Sequence, residues 1–132
     1  MNHSLRFCWP IAAAVLLASA CSDAPTDEGQ SPSAALLRLT SPHIDDGALL
    51  FTLGGPPIDS VAPTSASLRL FIRRVNDSTI VGALVGPIGS GAVLTLHRVS
   101  DPAAYTARVL EVADRRNVLR ESLIGYALTV VR

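Results

Sequence analysis

Several groups of residues in this chain carry side chains suited to acid–base, metal or nucleophilic chemistry, and each falls short of a complete set. His43-Ile44-Asp45-Asp46 is the nearest to a ligand cluster. On a strand His43 and Asp45 would point the same way and fill two positions on a metal, whereas a working site takes three or four. The plainer reading is a loop entering an Asp-Gly turn with His43 in water. His97 lies on a strand, opposite the face that carries Leu94 and Leu96, and reads as exposed. Ser90 stands between Gly89 and Gly91, but Ile88 precedes Gly89, so the Gly-x-Ser-x-Gly elbow of hydrolases is missing. Residues 86–91 also lack the Gly-Lys-Ser/Thr end of a phosphate loop. Glu111 with Glu121 or Asp114 would supply the two carboxylates of a glycosidase, yet nothing places them across a cleft. Arg108, Arg115 and Arg120 are nearer partners for them.

Binding surfaces are better supplied than catalytic ones. Beyond residue 21 the aromatics are Phe51, Phe71, Tyr105 and Tyr126. Phe51 falls on an apolar face and belongs to the core. Phe71 shares the opposite face of its strand with Arg69 and Arg73, and these three form the candidate binding surface. Arginine and aromatic side chains are the types that most often carry energy in protein interfaces. All eleven basic residues are Arg, which a genome favouring Arg and Ala codons explains. Residues 35–132 hold ten Arg against eight acids, a net of +2 spread along the chain. That is not the basic stripe that phosphate backbones require, so nucleic acid is not an expected partner.

The N-terminal quarter has a different organisation. Residues 1–20 show a short n-region with Arg6, an uncharged apolar run over residues 7–20, and small residues before a cut, the three parts of a secretory signal. The run is shorter than the roughly 20 residues a helix needs to cross hydrocarbon. Ala18-Ser19-Ala20-Cys21 resembles the lipobox of bacterial lipoproteins, with Ala18 where leucine is usual. The resemblance implies cleavage after Ala20, lipid on Cys21 and attachment to a membrane of the cell envelope. Ser22, rather than Asp, after the cysteine leans toward the outer membrane. Two or three acyl chains make a lasting anchor, at about 0.8 kcal/mol per buried CH₂. Cys8 would leave with the signal. The mature chain then has no free thiol for a disulfide, metal or nucleophile, and no cofactor is expected.

Residues 21–34 read as the modified cysteine and a flexible tether with Asp23, Asp27 and Glu28 and no base. Fully extended, such a tether reaches at most about 45 Å. Residues 35–132 are the size of one domain. Leu37 and Leu39, then Leu49, Phe51 and Leu53, then Leu68, Leu70 and Ile72 alternate with their neighbours at the period of a half-buried strand. Further strands are expected within residues 79–85, 92–99, 105–112 and 126–131, seven in all. Asn76-Asp77 suggests a tight hairpin. Asp114 as N-cap, Leu119 and Leu123 four apart and Gly125 as a stop predict a short helix over residues 114–124. The expected fold is a single all-β antiparallel sandwich with that one helix.

Residues 88–96 and 47–53 bear a glycine-and-leucine pattern that faintly resembles cohesin-like, immunoglobulin-like sandwiches of secreted proteins. It tilts the expectation toward a sandwich over a barrel and fixes no functional residue. The functional expectation is a non-catalytic envelope lipoprotein that displays the sandwich to an envelope protein partner. Alternatives are a carrier of small apolar ligands or polysaccharide, and third a hydrolase.

Overall fold

The structure, a computed structural model, describes residues 33–132. The signal, Cys21 and nearly all of the tether therefore lie outside the described residues. Eight strands run in chain order: β1 (Ser33–Thr40), β2 (Asp46–Gly54), β3 (Ser60–Pro63), β4 (Arg69–Asn76), β5 (Thr79–Ile88), β6 (Gly91–Val99), β7 (Thr106–Asp114) and β8 (Ala127–Val131). They form two antiparallel four-stranded sheets, ordered β3-β6-β1-β8 and β4-β5-β2-β7, consistent with a β-sandwich. β7 and β8 bring the sheets together along one side, and β3 and β4 along the other.

The period-two pattern decides which atoms meet between the sheets. Ala35, Leu37 and Leu39 of β1 and Leu94 and Leu96 of β6 face Leu49, Phe51 and Leu53 of β2 and Ile80 and Leu84 of β5, all buried in one cluster. Each such aliphatic side chain contributes on the order of 1.5–3 kcal/mol by leaving water. Phe51 needs a gap in its own sheet. It pairs with Gly82 across the β2–β5 ladder, and a Cβ on Gly82 would lie 2.3 Å from Phe51 Cζ. Only glycine leaves that volume to the ring.

Three expectations need correction. The described residues form eight strands, not seven; the extra one, β3, is four residues long and ends at Pro63, too short for an alternating signal. Ser33 and Ala34 already belong to β1. The helix over residues 114–124 does not form. Asp114 accepts hydrogen bonds from the N–H groups of Arg116 (2.8 Å) and Val118 (3.0 Å), so its carboxylate closes a turn. Asn117 takes φ 64°, the left-handed region, and the chain folds back on β7, with Arg120 N–H donating to the Val112 carbonyl at 2.8 Å. A side chain that binds backbone two and four residues on competes with helix at the same sequence signature. The hairpin at Asn76-Asp77 is present, joining β4 to β5.

Phe51→Ala is expected to lower unfolding free energy by about 3–5 kcal/mol, measured by denaturant titration. Gly82→Ala should cost about 1–3 kcal/mol by overpacking. That penalty should shrink when Phe51→Leu is present, and an undiminished penalty would show that the ring is not what Gly82 makes room for.

Candidate functional site

The densest polar cluster sits at the end of the sandwich where β1 hands over to β2. Asp46, the first residue of β2, is completely buried. Three segments supply its donors. Ser41 Oγ donates to Oδ2 at 2.6 Å, Arg120 donates to Oδ1 from Nε at 3.1 Å and Nη2 at 2.9 Å, and the Tyr126 hydroxyl lies 2.9 and 3.0 Å from the two oxygens. Arg120 Nη2 also reaches Asp45 Oδ1 at 2.5 Å. The Asp45-Asp46-Gly47 turn read from the sequence is thus displaced: Asp46 and Gly47 are strand, and the bend lies before them.

Electrostatics follow from these partners. The Arg120 hydrogen bond holds the Asp45 carboxyl below its ordinary pKa. The Val118 N–H, followed by that of Arg116, does the same for Asp114. Burial, then the bond to Asp46, pushes the Tyr126 hydroxyl up, and Asp46 above all holds the Arg120 guanidinium charged. Both oxygens of Asp46 are occupied by protein donors, so this buried carboxylate has no free oxygen to offer a substrate.

The sequence candidates separate. His43 is exposed and touches this cluster only by its backbone and by a tilted ring contact with Tyr126, centroids 6.0 Å apart. Ser90 Oγ accepts from Ser41 N–H at 2.9 Å and donates to the Ser41 carbonyl at 3.1 Å, pinning two loops together. His97 is exposed on β6 opposite Ser60. Glu111 stands opposite Leu50 on β7, while the Asp114 carboxylate is taken up by its own turn. Of the pairings expected for the acids, Arg120 goes instead to Asp45 and Asp46. Among the described residues no three of His, Cys, Asp and Glu gather closely enough to hold a metal ion.

The outer face of the β4-β5-β2-β7 sheet brings the other candidates together. The register aligns Phe71 with Ala83, Leu50 and Glu111, and Arg69 with Val85 and Ala48. The next row is Arg73, Val81, Thr52 and Arg108. Phe71 is 61% exposed. Beside it a shallow hollow of about 260 Å³ is lined by Leu50, Phe71, Arg73, Val81 and Ala83. Among the described residues neither Arg69 nor Arg73 has a hydrogen-bond or ion-pair partner. Arg74, on the alternate face, spends both Nη atoms on the carbonyls of Ile58 and Asp59, each at 2.8 Å. The Asp46 cluster escaped sequence reading; the outer face did not. Comparison of the chain with family models, curated proteins and solved structures returns no match.

Asp46→Ala is expected to cost about 3–5 kcal/mol, because it strands Arg120 and two hydroxyls. Adding Arg120→Met should cost little more, since the pair acts as a unit; full additivity in denaturant titration would show that they do not interact. Asp45 and Asp114 have folded-state pKa values below those of the unfolded chain. Their contribution is present above about pH 4 and is lost as pH falls through the folded values. The thermal midpoint should therefore drop between about pH 5 and pH 2, and Asp114→Asn should flatten that drop.

Proposed function

We propose that this chain is a lipid-anchored protein of the bacterial cell envelope, held by Cys21 and favouring the outer membrane, which presents its sandwich to an envelope protein and performs no catalysis. The contact surface is the outer face centred on Phe71 between Arg69 and Arg73. The observation that carries this reading is that a large aromatic ring stands mostly exposed between two arginines that have no partner among the described residues. Around it lie the exposed apolar side chains of Val85, Leu110 and Leu119. A contiguous apolar patch rimmed by charge is the usual mark of a protein contact. The anchor rests on the run Ala18-Ser19-Ala20-Cys21 after an apolar segment. Among the described residues no helix is long and apolar enough to cross a membrane.

An acyl-chain probe fed to cells should label the wild type and not Cys21→Ser; equal labelling removes the anchor. A photoreactive residue at Val81 should crosslink in intact cells to a discrete envelope protein, and one at His97, in the other sheet, should not. Combining Arg69→Ala, Phe71→Ala and Arg73→Ala should cut the Val81 yield about tenfold, while His43→Ala with His97→Ala leaves it intact. Capture that dies with the histidines and survives the triple change reverses the reading and restores an enzyme or metal site.

A further inference from the structure

The geometry points to the partner's chemistry: we propose that the open edge of β4 takes up an extended segment of the partner as a fifth strand, with acidic side chains two places either side of an apolar one. This rests on the reading of Arg69, Phe71 and Arg73 as the contact surface and adds which element the partner grips and what it must carry.

The four sheet edges are not alike. β3 is four residues long and ends in proline. β7 is covered at its end by the returning chain, through the Asp114 N–H to Val118 carbonyl bond and the Arg120 N–H to Val112 carbonyl bond. β8 is five residues long and packs more extensively on β7 than β4 does on β3. β4 has eight residues and no proline, and it pairs on one side only, with β5. Its ladder with β5 is regular from Arg69 to Arg74 and shifts before Asn76, so a uniform edge runs from residue 69 to 74. An edge of this length presents a row of backbone groups, and its arginines restrict which extended chain can add to it.

Charge then selects the occupant. An added antiparallel strand sets its side chains about 4.5–5.5 Å from those opposite, and like charges placed there repel. A second copy joined through β4 about Phe71 would set arginine against arginine at both ends of the contact. A strand with carboxylates at those two positions would instead pair both arginines, with its central apolar residue on Phe71. On the other face, its intervening residues would cover Ile72, which is 42% exposed. The acid-x-apolar-x-acid pattern reads the same from either end, so it suits either strand direction.

The test uses the full chain in detergent micelles and the synthetic peptide Ser-Glu-Thr-Val-Thr-Glu-Ser, followed by amide hydrogen exchange. The peptide should slow exchange in residues 69–74 and leave β7 unchanged. Replacing both Glu by Lys should weaken it about tenfold, and Arg69→Glu with Arg73→Glu should invert that preference. Proline in place of the central valine should abolish the protection. Protection on β7, equal binding of the Lys peptide, or dimerisation of the chain alone that protects residues 69–74 overturns the proposal. So does a large gain in peptide affinity on Asp23→Asn with Asp27→Asn, which would mark the chain's own acidic segment as the occupant. If the peptide fails while Val81 crosslinking still depends on Phe71, the face is used without strand addition; if that crosslinking is also lost, the contact surface itself falls.

Discussion

A carboxylate with no exposure to water must be surrounded by donors, and in this sandwich that requirement fixes one whole end of the molecule. Moving an ionised carboxylate into protein costs several kcal/mol even after relaxation, and only close, numerous hydrogen bonds offset it. The donors to Asp46 come from Ser41 and from Arg120 and Tyr126, 74 and 80 residues further along. The β1–β2 loop and the β7–β8 connection must therefore converge on one point. Ser90 adds the β5–β6 loop by binding Ser41 in both directions. The cluster's main effect is on specificity. Sliding β2 by one residue would carry the carboxylate to the outer face and leave Arg120 facing apolar side chains, so register and loop path are chosen together.

With that end locked, the two faces of the β4-β5-β2-β7 sheet take opposite roles. Inward, Phe51 over Gly82 and the leucines about it leave no room for rearrangement. Outward, the same strands offer Ala48, Leu50, Val81 and Ala83, side chains too small to cover one another. Phe71 has no larger neighbour in register to bury it and stays exposed. A rigid inner face thus presents a shallow outer one at little entropic cost to a partner, since the strand backbone is already ordered.

Strand positions were legible because alternation reports burial directly. Leu37 and Leu39 and the set Leu49, Phe51 and Leu53 carry it, and the faces of Phe51 and Phe71 follow from it, whereas residues 79–85 are apolar at nearly every position and mark a strand without marking its faces. Leu70 and Ile72 lie on the inward face as the pattern implies, but β4 is an edge strand with a neighbour on one side only, so Ile72 is only partly covered. Alternation alone does not show which strand will stand at the edge of a sheet. The segment after β7 misled for a definite reason: aspartate before a run with leucines four apart serves a helix N-cap and a side-chain-closed turn equally well. Asp46 was hidden because Asp-Asp-Gly is a turn signal locally, and its partners are remote. The weak clue was Tyr126, a polar aromatic at the head of a strand in a chain with few aromatics.

An all-arginine basic set looks uniform in sequence, and the structure divides it by use. Arg74 clasps two successive carbonyls with two nitrogens of one plane, and Arg120 bridges two carboxylates. Arg132 ties the end of the chain to Ser33 and the Ser100 carbonyl. A lysine, with a single nitrogen, matches none of these forks. These arginines are committed to the fold. Arg69 and Arg73 lie on the same strand as Arg74, with alternation turning them to the other face, where among the described residues no acceptor meets them. The neighbouring outward residues on β5 are Val81, Ala83 and Val85, so the strand beside them has no side chain able to neutralise them. These two charges do nothing for the core, and they set the sign of whatever the β4 edge can accept.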